Sequence, residues 1–183
     1  MKWIIAIGVG VLAISASVFA QAPADPSIER ALAAAPRNMK EGATVIKWKP
    51  DFTYDTLKKG TNRLVCFDRS GEPGEQPFAV QCTSIGNLDR VAQNRKFEAI
   101  QNRDERKKQL DAAEANGTRV KPEFGSVFYS MDGADQASAR IHATIAVPGA
   151  TTQSIGLPDN PKQGGVWIMD AGTSTAHLMT PGH

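Results

Sequence analysis

Short runs of alternating, β-branched residues occupy both ends of the chain, and a long stretch of helix formers occupies its middle. Ala43-Thr44-Val45-Ile46-Lys47-Trp48 has the composition of a strand and stops at Pro50. Phe52 to Leu57 and Asn62 to Asp68 continue the pattern, with Lys58-Lys59-Gly60-Thr61 between them reading as a hairpin turn, and Phe78 to Cys82 supplies a fourth strand. Ahead of these, Asp25 is suited to cap a short helix that Pro26 opens and Pro36 ends, with Ile28 and Leu32 on one face.

From about Asn87 to Asn116 no Gly or Pro interrupts the helix formers, and Asn116-Gly117 supplies a stop. Leu88, Val91, Ala92 and Ala99 form one apolar stripe, Phe97 and Ile100 a displaced one, and Leu110 and Ala113 a third. Because Gln101 to Gln109 holds no apolar residue, the pattern predicts two helices meeting near Gln101 to Asp104 rather than one straight rod. Strands then return at Ser126 to Met131, Arg140 to Val147, Val166 to Asp170 and Thr175 to Met179. The polar run from Gly149 to Gly165, with Pro158 and Pro161, reads as the mobile connection. Strands, then helix, then strands is an α+β order: a single domain over 21–183, with a largely antiparallel sheet and the helical segment 87–116 packed on one face.

Residues Met1 to Ala20 carry Lys2, an apolar stretch from Trp3 to Ile14, and mostly small residues ending in Val18-Phe19-Ala20. This is the pattern of a cleavable export signal, cut between Ala20 and Gln21, which sends the chain to the periplasm or outside the cell and leaves no membrane anchor. The formal net charge of +2 argues against nucleic acid as a partner, since that binding needs concentrated positive charge. In an oxidising compartment the two cysteines, Cys66 and Cys82, are expected to form a disulfide at the base of the turn-rich loop Ser70 to Pro77.

Chemistry-bearing patterns are sparse. Asp170-Ala171-Gly172-Thr173-Ser174 after an apolar run has the outline of an aspartic-protease turn, but that reaction needs two carboxylates sharing a proton and the chain has no second copy; a hairpin turn is the expectation. His142 and His177, with Asp170, are the candidate metal ligands, because imidazoles and a carboxylate suit zinc. Nothing in their spacing demands a metal, and no cofactor is expected. No nucleophile elbow, phosphate loop or dinucleotide glycine pattern occurs. Arg103 to Lys108 mixes signs at i,i+3 and i,i+4, as a solvated helix face does, and Asn116-Gly117-Thr118 matches a glycosylation acceptor that a helix stop explains equally well. Trp48, Tyr54, Phe128, Tyr129 and Trp167 fall on strands, where packing in the core is expected.

Gly60-Thr61-Asn62 with Cys66, then Pro77 and Cys82, Val127-Phe128-Tyr129-Ser130-Met131, Trp167-Ile168-Met169, and Ala176-His177-Leu178-Met179 with Pro181 together resemble an uncharacterised group of small exported bacterial proteins. The group's pattern often has a glycine after Gly-Thr-Asn, where this chain has Arg63. The resemblance implies export and a shared architecture and carries no activity. The function expected from the whole reading is a non-catalytic binding or interaction module for an unknown small molecule or envelope protein. The alternatives are a metal-binding protein using His142 and His177, with a metal-dependent hydrolase as its catalytic form, and a structural component of the envelope.

Overall fold

Asp25 caps α1 (Pro26–Ala31) by accepting a 2.9 Å hydrogen bond from the Ser27 N–H, and Pro26 takes the first helical position. The computed structural model describes residues 25–180; the export segment Met1 to Ala20, the Ala20–Gln21 junction, and Pro181 to His183 lie outside them. A 3-10 turn over Leu32–Ala34 extends α1, and Pro36 does not simply end it but caps a further short helix, α2 (Arg37–Lys40).

One eight-stranded sheet follows, formed by β1 (Thr44–Trp48), β2 (Tyr54–Lys58), β3 (Leu64–Asp68), β4 (Phe78–Ser84), β5 (Val127–Gly133), β6 (Arg140–Ala146), β7 (Trp167–Met169) and β8 (His177–Met179). Their order across the sheet is β2-β1-β3-β4-β5-β6-β8-β7, antiparallel throughout except for β1 beside β3. The α+β class and the single sheet thus follow the sequence pattern. The hairpin expected at Lys58 to Thr61 does not. The first hairpin is instead β1–β2, closed by Lys49 N–H donating to Thr53 O at 2.7 Å with Phe52 at φ 66°. The chain then crosses the start of β1 to reach its other side. Gly60 permits that crossing, since a Cβ there would stand 2.3 Å from Gly42 O and 2.4 Å from Thr44 N. Thr61 and Asn62 N–H both donate to Gly42 O, which pins the crossover.

The segment 87–116 contributes its core helix to one face of the sheet, as expected, and the N-terminal helices cover the other. On one face α1 and its 3-10 turn bury Ala31, Leu32 and Ala34 against Val45, Leu64, Phe78 and Val80. Cys66 and Cys82 sit within the same cluster, directly opposite each other on β3 and β4, joined at an S–S distance of 2.09 Å. On the other face α3 (Leu88–Glu98) sets Leu88 and Val91 against Ile46, Trp48, Val65 and Phe67. Val65 and Phe67 are fully buried, and burial of such side chains stabilises by roughly 1.5–3 kcal/mol each. The helical stretch divides as its polar middle requires: α4 (Arg103–Ala115) starts afresh at Asn102, whose side chain caps it, and buries only Ala113. Its outer face is solvated, with a Lys107–Asp111 pair at i,i+4. Asn116 ends α4, and Thr118 donates to its side chain, so the acceptor sequence serves as the helix stop.

The run read as the mobile connection holds α5 (Thr152–Ile155), fixed by a reciprocal Thr151–Ser154 capping box, and a 3-10 turn at Pro161–Gln163. With Val147, Ala150, Ile168 and Ala176 it forms a third small core over β7 and β8. β7 and β8 make the expected hairpin, with Asp170 at φ 52° and Gly172 at φ 82° in its turn.

Candidate functional site

β1 and β3 pair at only two positions, Thr44↔Val65 and Val45↔Cys66, and then part. The wedge between them is a cleft of about 710 Å³. Ile46 to Pro50 form one wall, Asp68 and Ser70 to Pro73 the other, while Asp25, Ser27 and Ala31 approach from α1 and Arg95, Glu98 and Ala99 from the end of α3.

The main chain of both walls faces this gap. Lys49 N–H donates to Thr53 O, which puts the hydrogen-bonded rungs of the β1–β2 ladder at Lys49 and Lys47 and turns the N–H and C=O of Trp48 away from β2. Across the gap, Arg69 N–H donates to Ala79 O, placing rungs at Arg69 and Phe67 and turning the peptide groups of Asp68 away from β4. The β1–β3 ladder has no rung beyond Val45↔Cys66, so these strand edges present donors and acceptors to the cleft.

Side chains set its chemistry. Trp48 packs edge-on against Phe67 and Tyr54 at 5.8 and 5.4 Å and carries the Arg95 guanidinium 5.1 Å above its ring. Tyr54, expected in the core, is exposed on edge strand β2. Arg95 pairs with Glu72 at 2.5 Å, while Arg69 reaches Glu72, Glu75 and Glu98 at 3.3, 2.6 and 2.8 Å. Three carboxylates thus share two guanidiniums. Burial pushes the Glu75 carboxyl above its usual range, and Glu98 and Glu72 add to this against the pull of Arg69. The network fastens the loop after β3 to α3. On the other side Arg30 of α1 pairs with Asp68 at 2.9 Å, donates to Ser70 Oγ and covers the Phe78 ring. Two buried donors at the cleft, Trp48 Nε1–H and Arg95 Nε–H, have no hydrogen-bond acceptor among the described residues.

His142, His177 and Asp170 are not brought together. Both histidines share the α3-facing side of the sheet, but His142 stands opposite Ser130 and His177 opposite Ala146, four strand residues or about 13 Å apart in register. Asp170 is exposed in the β7–β8 turn, where its carbonyl accepts from Thr173 N–H and Oγ1–H. Among the described residues no group of three or more His, Cys, Asp or Glu side chains is placed to hold a metal. His177 Nδ1 lies 2.8 Å from Thr175 O, which makes that nitrogen the protonated one. The ring lines a smaller hollow together with buried Arg90, whose positive charge opposes a cation there.

Trp48 was legible as a core aromatic but not as a cleft wall, and Arg90 and Arg95 had no signal beyond being cations on a helix. No helix among the described residues is long and apolar enough to cross a membrane. No family model, curated protein or solved structure matches this chain.

Proposed function

We propose that the chain is an exported, non-catalytic binding module whose ligand is an extended peptide segment held in the cleft between β1 and β3. One observation carries this reading: two strand edges, at Trp48 and Asp68, turn unpaired peptide groups toward the same 710 Å³ space. An extended chain is the ligand that offers alternating N–H and C=O groups to such edges, while apolar surfaces such as Trp48, Phe52 and Leu57 receive its side chains. The Arg69–Glu72–Glu98–Arg95 network and the Cys66–Cys82 bridge hold the walls in place before binding, which lowers the ordering cost. The export-signal pattern at Met1 to Ala20, and the resemblance to small exported proteins, support a location in the periplasm or outside the cell. The Cys66–Cys82 disulfide is compatible with an oxidising compartment.

A peptide selected from a random decapeptide library on the exported protein tests the reading. It should bind at least about tenfold more weakly once its alternate amides are N-methylated, because each lost main-chain bond is worth roughly 1 kcal/mol. Ala99→Trp, which fills the cleft from the end of α3, should abolish binding. A peptide insensitive to both changes would refute the assignment.

A further inference from the structure

A second concavity lies on the α3 side of the sheet, over β5, β6 and β8, with a volume of about 180 Å³. At its base Arg90 is buried, and its guanidinium meets only neutral oxygens: Nη1 donates to Val120 O at 2.6 Å and Ser174 Oγ at 3.3 Å, and Nη2 to Thr175 Oγ1 at 2.9 Å. Those three bonds leave two of the five guanidinium hydrogens, one on Nε and one on Nη2, without a named acceptor. Neither Arg90 nor the neighbouring Arg119 has a carboxylate within ion-pair distance among the described residues. Arg119 gives its two terminal nitrogens to Gln93 Oε1 and Asn94 Oδ1, each at 2.6 Å. Two carboxylates act on Arg119 and both are engaged elsewhere: Glu114 accepts from the Ser174 N–H and hydroxyl, and Glu98 is neutralised by Arg69 at 2.8 Å. The group of Arg90, Arg119 and Glu114 therefore holds one positive charge in excess.

The hydrogen bonds already made also fix what the walls offer. Asn94 spends its oxygen on Arg119, so its amide hydrogens remain. Ser130 Oγ accepts from Gln81 Nε2 at 3.1 Å, and Thr175 Oγ1 accepts from Arg90, so both hydroxyl hydrogens remain. Each of these groups lines the hollow, and each presents a donor. Phe128, Pro122 and Ala146 supply the apolar part of the lining.

We infer that this hollow binds a small organic monocarboxylate, its carboxylate set between Arg90, Thr175, Ser130 and Asn94 and its short apolar body against Phe128 and Pro122. One negative charge neutralises the excess, two oxygens use the donors, and the volume admits only a few heavy atoms beyond the carboxylate. Burial and the repulsion from Arg119 pull the Arg90 guanidinium down to about 10, as expected of a cation awaiting a counter-ion.

Titration of the intact exported protein with butyrate, followed by the side-chain amide resonance of Asn94, is the direct test. Saturable one-to-one binding of butyrate is expected, with inorganic phosphate at least about tenfold weaker because its extra oxygens and charge meet apolar wall. Ser130→Ala and Thr175→Val preserve shape, and each should weaken butyrate by about tenfold or more, whereas His142→Ala, outside the hollow, should leave it unchanged. Arg90→Gln should abolish binding, and the two conservative variants keep the test decisive if that variant does not fold. Absence of saturation by butyrate, equal or tighter binding of phosphate, or indifference to Ser130→Ala and Thr175→Val would overturn the assignment. The cleft between β1 and β3 plays no part in any of these outcomes.

Discussion

Arg90 and Arg95, five positions apart on α3, resolve the same problem of a cation near a core in opposite ways. Arg95 spreads its charge over the Trp48 ring and Glu72, whereas Arg90 is held by neutral oxygens alone. Arg95→Ala should lower stability by about 1–3 kcal/mol, measured as the urea midpoint, and red-shift the emission of Trp48. Protonation acts on other side chains. Burial raises the Glu114 carboxyl, but the Ser174 hydroxyl and amide, then Arg90 and Arg119, outweigh it and hold the carboxyl below its ordinary value of 4.5. The Ser84 hydroxyl, then Arg63, hold Glu123 low as well. A carboxyl depressed in the folded state adds stability that is present above its unfolded pKa and disappears as pH falls through its folded one. Glu75, raised by burial, runs the other way and gains from protonation. Glu114→Gln should therefore flatten the fall in thermal midpoint below about pH 4.5, whereas Glu75→Gln should remove a gain that accrues as pH falls toward 4.5 from above, as read from melts between pH 7 and 3. Sequence pattern alone exposed little of this. In a stripe read by hydrophobicity, Arg90 looks like a solvent-facing residue between Leu88 and Val91; its burial depends on Val120, Ser174 and Thr175, which arrive from remote segments.

Among the elements, local signals were read correctly where a single segment determines the outcome. The Asp25 cap, the break between α3 and α4 and the β7–β8 hairpin follow from neighbouring residues, and the structure contains all three. The β2–β3 connection failed that test because its geometry is set by β1, which lies between the two strands. Lys58-Lys59-Gly60-Thr61 has the composition of a turn whether it closes a hairpin or crosses a third strand. Gly60 distinguishes the two: as a crossover residue it meets the main chain of Gly42 and Thr44 and has no room for a side chain. Gly60→Ala should cost about 2–4 kcal/mol or prevent folding, a far larger loss than for an open hairpin turn, and the denaturant midpoint decides between them. The disulfide acts on the same region. Reducing Cys66–Cys82, which closes a separation of 16 residues, should remove about 3 kcal/mol by the loop-entropy argument, seen as a lower melting temperature in dithiothreitol.

For the whole molecule, the sheet is asymmetric in a way that creates both candidate sites. α1 and α3 pack on opposite faces of β1 and β3, and the parallel β1–β3 pair is the weak seam between them, where the strands part and the larger cleft opens. Farther along, Arg90 and Asn94 of α3 and residues of β5, β6 and β8 line the smaller hollow. Export belongs to this scale as well: the intact mass of protein recovered from outside the cytoplasm should correspond to a chain beginning at Gln21 with two hydrogens lost to the disulfide. The central claim is that the open edges of β1 and β3 receive an extended peptide. Residue-resolved amide hydrogen exchange, with and without the library-selected decapeptide, tests it most directly. The Trp48 and Asp68 amides, which face the seam, should become strongly protected in the complex; peptide binding that leaves both amides exchanging at their free rates would refute the assignment.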